Sequence, residues 1–239
     1  MNRFLFLFFI ALTAIRGFGQ EIPENKKVYL IPGQGADGRL FSKLKLDNCD
    51  TTILGYLLPE RHETLTEYAK RLSATIDTSG DFYLIGVSLG GMCAVEMAKF
   101  LHPVKVIIIS SAENRSELPA RYKFQRVIPL NKVFGGRFMK FMVPIVRPVF
   151  EPDSKAERKT FNAMIRDKSP KFMKRSVNMI IHWDNTDSIP VLVHIHGTSD
   201  HTLPYRKIKN AKPVENGSHM MTLIMAEEIS KLVNAELNK

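Results

Sequence analysis

Residues 81–93 read DFYLIGVSLGGMC. A short apolar run, 82–85, enters Gly86-Val87-Ser88-Leu89-Gly90, and Gly91 opens a stretch of helical character. Strand, tight turn and helix are the setting in which G-x-S-x-G lifts a serine hydroxyl out of the backbone. Such a turn strains the backbone at Ser88 and leaves no room for side chains at Gly86 and Gly90. Alone, the pentapeptide also fits a glycine-rich turn with no chemistry of its own. The flanking sequence decides between the two.

Upstream, 28–31 reads as a buried strand running into Pro32-Gly33-Gln34-Gly35-Ala36-Asp37-Gly38 and a short helix over 39–46. A second strand spans 51–58 and stops at Pro59. Leu65, Tyr68, Ala69, Leu72 and Ile76 recur at helical spacing, so 62–76 forms an amphipathic helix. Downstream of the elbow, VKVIII (104–109) is apolar almost throughout, as in a parallel strand covered on both faces. The alternation then pauses over 112–189. There Phe134, Phe138, Phe141, Met142, Phe161, Met164, Phe172, Met173, Met179 and Trp183 punctuate basic helical pieces that Pro144, Pro148, Pro152 and Pro170 break apart. It resumes with a strand at 191–195, Gly197-Thr198-Ser199-Asp200, a short helix at 205–208, a weak strand at 213–215, Gly217-Ser218-His219 and a closing helix over 220–237. This pattern predicts an α/β domain: a mostly parallel sheet of about six strands, helices on both faces and a helical insertion.

In such sheets ligands bind beyond the carboxyl ends of the strands. The polar candidates fall there: Gln34 after the first strand, Ser88 after the third, Asp200 after the fifth and His219 after the sixth. A serine hydroxyl needs an adjacent base to attack a carbonyl. His219 suits that task because imidazole titrates near neutrality, and Asp200 would hold the ring in the right tautomer. Each has a bland alternative. An aspartate after a strand often caps a turn, and Glu113 is a rival acid without a motif. His201 would point elsewhere if Asp200 faces the site. His194 and His196 read as structural residues behind it, while His182 and Trp183 fit either a pocket wall or core packing.

With Ser88 in GVSLG, Asp200 in HGTSDHTLP and His219 in ENGSHMM, the chain resembles the α/β-hydrolase superfamily, in its small, lidded, carboxylesterase-like branch. The resemblance spans nearly everything after residue 19, though the insertion matches only in being helical. It implies Ser88 as nucleophile, Asp200 as acid and His219 as base. It also implies an oxyanion hole from the backbone N–H groups of Gln34 and Leu89, and no cofactor or metal. Many relatives carry His-Gly where this chain has Pro32-Gly33, and the chain is expected to lack the two extra first strands of larger relatives. Epoxide hydrolases and dehalogenases of this fold carry Asp at the elbow, so Ser88 argues against both.

The insertion joins the fourth and fifth strands, so it sits over Ser88 as a lid, its Phe and Met side chains facing a flexible apolar pocket. That pattern points to a small-molecule ester with a small to medium apolar acyl or aromatic group; a thioester or lactone remains open. So does a different class, a ligand-binding or signalling protein that keeps the scaffold without turnover.

The chain has 239 residues and a formal charge of +10, of which Arg3 and Arg16 supply two. Residues 112–190 hold sixteen Lys/Arg against eight Asp/Glu, a basic surface that could meet acidic substrate ends or anionic surfaces. A solvated helical face explains it equally well, and no nucleic-acid motif accompanies it. Two cysteines, Cys49 and Cys93, make no disulfide framework and no zinc pattern. Residues 4–15 are mostly apolar behind Arg3, with Gly17 and Gly19 at small-residue spacing, which reads as a signal peptide over 1–19 and a hydrolase domain over 20–239. The apolar run is about twelve residues against the roughly twenty of a membrane span. The expected product is an exported protein, periplasmic or secreted. Expressed with its leader in a bacterial host, it should be recovered outside the cytoplasm with Gln20 as first residue by N-terminal sequencing; a chain retaining Met1 in the membrane fraction would contradict cleavage.

Overall fold

The computed structural model describes residues 25–127, 135–150 and 155–239. The expected signal peptide, and Phe134 and Pro152 of the insertion, lie outside the described residues. Six strands, β1 (Lys26–Ile31), β2 (Cys49–Ile53), β3 (Phe82–Val87), β4 (Lys105–Ile109), β5 (Leu192–Gly197) and β6 (Lys212–Val214), form one sheet in the order β2-β1-β3-β4-β5-β6. All five pairings are parallel.

Side chains alternate across the sheet, and each face meets its own helices. Tyr29, Ile31, Leu84, Val106 and Ile108 pack with α1 (Leu65–Leu72) and α2 (Leu89–Leu101). Val28, Leu30, Ile85, Val87, Ile107, Ile109 and Ile195 pack with Met221 and Leu223 of α7 (Met221–Ile224) and Ile229, Val233 and Leu237 of α8 (Ala226–Leu237). The central strands are therefore apolar on both faces, which is why VKVIII shows no alternation. Helix α1 starts in a capping box: Thr64 Oγ1 accepts from the Glu67 N–H, and the Glu67 carboxylate accepts from the Thr64 N–H.

Between β4 and β5 the regular elements among the described residues are a 3-10 turn, Arg115–Glu117, and four helices: α3 (Ala120–Val127), α4 (Gly136–Phe150), α5 (Lys155–Asp167) and α6 (Pro170–His182). Pro144 and Pro148 do not break α4 as the sequence led us to expect. Each removes one N–H from the helical ladder, and the packing of α4 along α6 outweighs that loss. Gly136 makes the approach possible, since a Cβ there would fall 1.8 Å from the Pro170 carbonyl oxygen. Pro170 does mark a break, since α5 ends at Asp167 and Pro170 occupies the first turn of α6, where Ser169 Oγ accepts from the Phe172 N–H at 3.0 Å.

Two further boundaries moved. The helix expected over 39–46 is a 3-10 turn, Gly38–Phe41, begun by Asp37, whose carboxylate accepts from the Arg39 N–H. Strand β2 starts two residues early and ends at Ile53, because as an edge strand it lasts only while it pairs with β1. The chain then leaves the sheet, and Tyr56 donates its hydroxyl to the Pro32 carbonyl.

The insertion returns to the sheet through Trp183, which is buried and donates Nε1–H to Glu96 Oε1 of α2 at 2.7 Å. Thr66 and Lys99 donate to the same carboxylate. Trp183→Phe leaves a smaller ring in the same packing and removes one donor from a buried carboxylate, a combined loss of at least about 1–2 kcal/mol. Urea denaturation followed by circular dichroism should show that loss; an unchanged midpoint would mean the bond contributes nothing.

Candidate active site

The strand order reverses direction at β1: β2 lies to one side, while β3 and all later strands lie to the other. The loops after β1 and β3 diverge there and leave a crevice at the carboxyl edge. The first loop carries Gln34 and the second carries Ser88.

Ser88 caps α2 with φ 53° and ψ −120°, a conformation that costs a non-glycine residue about 1–3 kcal/mol. Its surroundings hold it there. Ser88 donates its N–H to the Ile109 carbonyl at 3.0 Å, and Ser111 Oγ donates to the Ser88 carbonyl at 2.7 Å. A Cβ on Gly86 would lie 2.3 Å from the Gly90 carbonyl oxygen, and one on Gly90 2.1 Å from that of Ile31. Both positions admit only glycine.

His219 stands between Ser88 and Asp200. Its Nε2 lies 2.9 Å from Ser88 Oγ and its Nδ1 2.8 Å from Asp200 Oδ2. Asp200 is buried at 2% exposure, with Oδ1 accepting from the Leu203 N–H at 2.7 Å and His196 Nε2 lying 3.3 Å from Oδ2. Burial pushes the Asp200 carboxyl up, but the charge and hydrogen bonds of His219 and His196 together outweigh it, so it titrates well below the usual carboxylate range. An ionised Asp200 accepts Nδ1–H and leaves the Nε2 lone pair facing the serine hydroxyl. That arrangement can draw the Ser88 proton onto His219.

Behind Asp200, the two histidines of β5 form a buried pair, with His194 Nε2 3.1 Å from His196 Nδ1. His196 Nε2–H donates to the Leu203 carbonyl at 2.7 Å. Burial and the neighbouring His196 push the His194 imidazole down to about 3, keeping it neutral. The other candidates lie elsewhere. Glu113 Oε1 accepts from the Ile189 N–H, His201 is exposed, and His182 Nδ1 engages the Asn178 carbonyl on an exposed stretch of α6. Trp183 belongs to the core contact described above.

A cavity of about 310 Å³ opens over Ser88 and His219. Val87 and Met92 line it from the sheet side, and Val143, Phe161, Ile165, Met173 and Ile180 of the insertion complete an apolar wall. Of the Phe and Met residues expected to face it, Phe161 and Met173 do, whereas Phe172, Met164 and Met179 are buried in packing and Phe141 is exposed. The Gln34 side chain donates to Ser176 Oγ of α6 at 2.7 Å, and the Tyr56 bond holds Pro32 from the other side. Sequence reading missed Tyr56 and Ser176, which nothing in the local pattern marks as partners of this loop. Among the described residues, the backbone N–H groups of Gln34 and Leu89 have no hydrogen-bond partner. No described group of three or more His, Cys, Asp or Glu could hold a metal ion. Both cysteines are free thiols, Cys93 buried and Cys49 half-buried.

The model of the alpha/beta hydrolase family matches residues 27–231, and the chain belongs to that family. No curated protein matches its sequence. Solved structures with a similar fold include the esterase EaEST from Exiguobacterium antarcticum, 17% identical over 90% of this chain and 92% of that one, with a TM-score of 0.69. The enol-lactonase from Burkholderia xenovorans LB400 is 15% identical over 92% and 94%, with a TM-score of 0.70. A thermophilic esterase from Thermogutta terrifontis is 15% identical over 89% of each chain, with a TM-score of 0.66. At these identities the likeness speaks to the fold alone.

Because the Asp200 carboxyl titrates below its unfolded value of about 3.9, the ionised group stabilises the fold above about pH 4 and that contribution is lost as pH falls further. Asp200→Asn should therefore be less stable than wild type at pH 7, with the gap narrowing toward pH 3 in urea titrations. A gap independent of pH would contradict the depressed carboxyl.

Proposed function

We propose that this protein is a serine hydrolase that cleaves a carboxylic ester with a small to medium apolar acyl or aromatic group through an acyl-enzyme. The observation that carries the reading is the hydrogen-bonded run Ser88–His219–Asp200, held on a strained turn beneath an apolar cavity. Ser88 Oγ attacks the ester carbonyl carbon as its proton passes to His219 Nε2. The carbonyl oxygen takes up the negative charge beside the free N–H groups of Gln34 and Leu89, each such donor being worth roughly a hundredfold or more in rate. The His219 imidazolium, stabilised by Asp200, then protonates the departing alkoxide. Water attacks the acyl carbon, loses its proton to His219, and the carboxylic acid leaves as Ser88 regains its proton.

Two features favour turnover over passive binding. The Pro32 carbonyl, which could have obstructed the oxyanion position, is taken up by the Tyr56 hydroxyl. The two amide donors stand without partners among the described residues. A lactone is chemically equivalent in the attacking step, and the enol-lactonase likeness keeps cyclic esters as the second reading. On the leader reading of residues 1–19, the enzyme acts after export, and its basic insertion would attract anionic surfaces in a salt-dependent manner.

Hydrolysis of p-nitrophenyl esters of increasing chain length, wild type beside Ser88→Ala, tests the proposal. Wild type should turn over the shorter esters, with kcat/KM rising through the ordinary imidazole range of about 6–7, and Ser88→Ala should lose at least about a thousandfold. Equal rates in the two proteins, or a flat profile between about pH 5 and 8, would overturn it.

A further inference from the structure

One permanent charge lines the cavity, and the ester chemistry does not use it. Arg121, near the start of α3, borders the same space as Ser88 and His219, beside Tyr122, Thr202 and Leu203. The residue is exposed, which places it at the mouth of the cavity. Among the described lining residues, Arg121 is the one lysine or arginine; the surrounding wall is largely aliphatic.

The guanidinium is held in place. Its Nη2 donates to the Thr202 carbonyl, two residues beyond Asp200, and its Cζ sits 5.3 Å from the centre of the Tyr122 ring. Arg39 and Arg71 each meet a carboxylate at 2.6 and 2.8 Å, whereas Arg121 has no carboxylate partner among the described residues. A guanidinium carries five N–H donors in a planar fork, so donors remain after the Thr202 contact. An anion that enters between this exposed fork and the aliphatic wall gives up part of its water, which strengthens the attraction.

We propose that Arg121 is an anion subsite of this pocket, and that the substrate is an ester whose apolar acyl chain ends in a carboxylate. This deepens the hydrolase reading above and rests on it. The acyl carbonyl lies at Ser88, the methylene chain runs along Met173 and Ile180, and the terminal carboxylate takes a two-pronged contact from the Arg121 fork. A carboxylate suits the site better than a phosphate, because a single guanidinium balances one charge and would leave a dianion half-neutralised. The bland role of Arg121 is to tie α3 to the Asp200 loop through Thr202, and that role predicts no preference for charge in the substrate.

The test compares mono-p-nitrophenyl adipate and pimelate with the neutral hexanoate and heptanoate esters, in wild type, Arg121→Lys and Arg121→Met. The readout is the ratio of kcat/KM for the charged ester to that for its neutral counterpart within each protein. Wild type should favour the charged ester, Arg121→Met should lower the ratio by about tenfold or more, and Arg121→Lys should retain part of it. Ratios that agree across the three proteins, with each still hydrolysing esters, would overturn the subsite and leave Arg121 as a tether. A second measurement needs no turnover: calorimetric binding of monomethyl adipate to Ser88→Ala and to Ser88→Ala combined with Arg121→Met. Binding that weakens about tenfold in the double variant, with wild type itself hydrolysing none of the esters, would uphold the subsite and sink the hydrolase reading instead. Equal binding in the two would overturn the subsite whatever the kinetics show.

Discussion

A Cβ on residue 90 would lie 2.1 Å from the carbonyl oxygen of Ile31 and 2.4 Å from that of Pro32, so α2 can begin this close to the end of β1 only with glycine there. That close approach sets the geometry of the whole site. It brings the Pro32-Gly33-Gln34 loop against the Ser88 turn, so that a Cβ on Gly33 would touch Ser88 Cβ at 3.3 Å. It also forces Ser88 into a positive φ, a strain met by the hydrogen bonds to Ile109 and Ser111 of the neighbouring strand end. The covered parallel sheet provides the rigidity that such a strained turn requires.

The acid end of the site is built on the opposite principle, saturation rather than strain. Asp200 is deeply buried, and a lone carboxylate there would be costly. Leu203, His219 and His196 supply donors to its two oxygens, and the cost turns into a lowered carboxyl pKa. His194 in turn fixes the ring behind it. The orientation of the His219 ring toward Ser88 is thus supported three residues deep, from β5 outward. The insertion is fastened to this part of the fold by Ser176 to Gln34, by Arg121 to Thr202 and by Trp183 to Glu96 of α2. A movement of α6 would consequently be felt at the Gln34 loop.

The residues legible in the sequence are those whose signal is local. Ser88, Asp200 and His219 each sit in a short glycine-bearing loop after an apolar run, and their chain order matched the topology that the alternation implied. The structure brings these three together, sets Gln34 in the cavity wall, and leaves the N–H groups of Gln34 and Leu89 without partners among the described residues. What was not legible depends on distant parts of the chain. Tyr56 reaches Pro32 across 24 residues and Gln34 reaches Ser176 across 142, distances over which no periodicity carries information. The run of α4 through Pro144 and Pro148 has the same cause, since its partner α6 is a tertiary neighbour. Strand β2 ended early because an edge strand is limited by its single partner rather than by its own apolar run. Arg121 looked like one more member of a basic helical face until the fold set it at the mouth of the cavity.

The most direct measurement is to trap the covalent species. Wild-type protein mixed with a slowly hydrolysed ester, quenched in acid and mapped by peptide mass should carry one acyl group on the peptide containing Ser88, with none on Ser88→Ala. An acyl group that appears elsewhere, or ester cleavage that proceeds undiminished in Ser88→Ala, would contradict the assignment of Ser88 as the attacking residue.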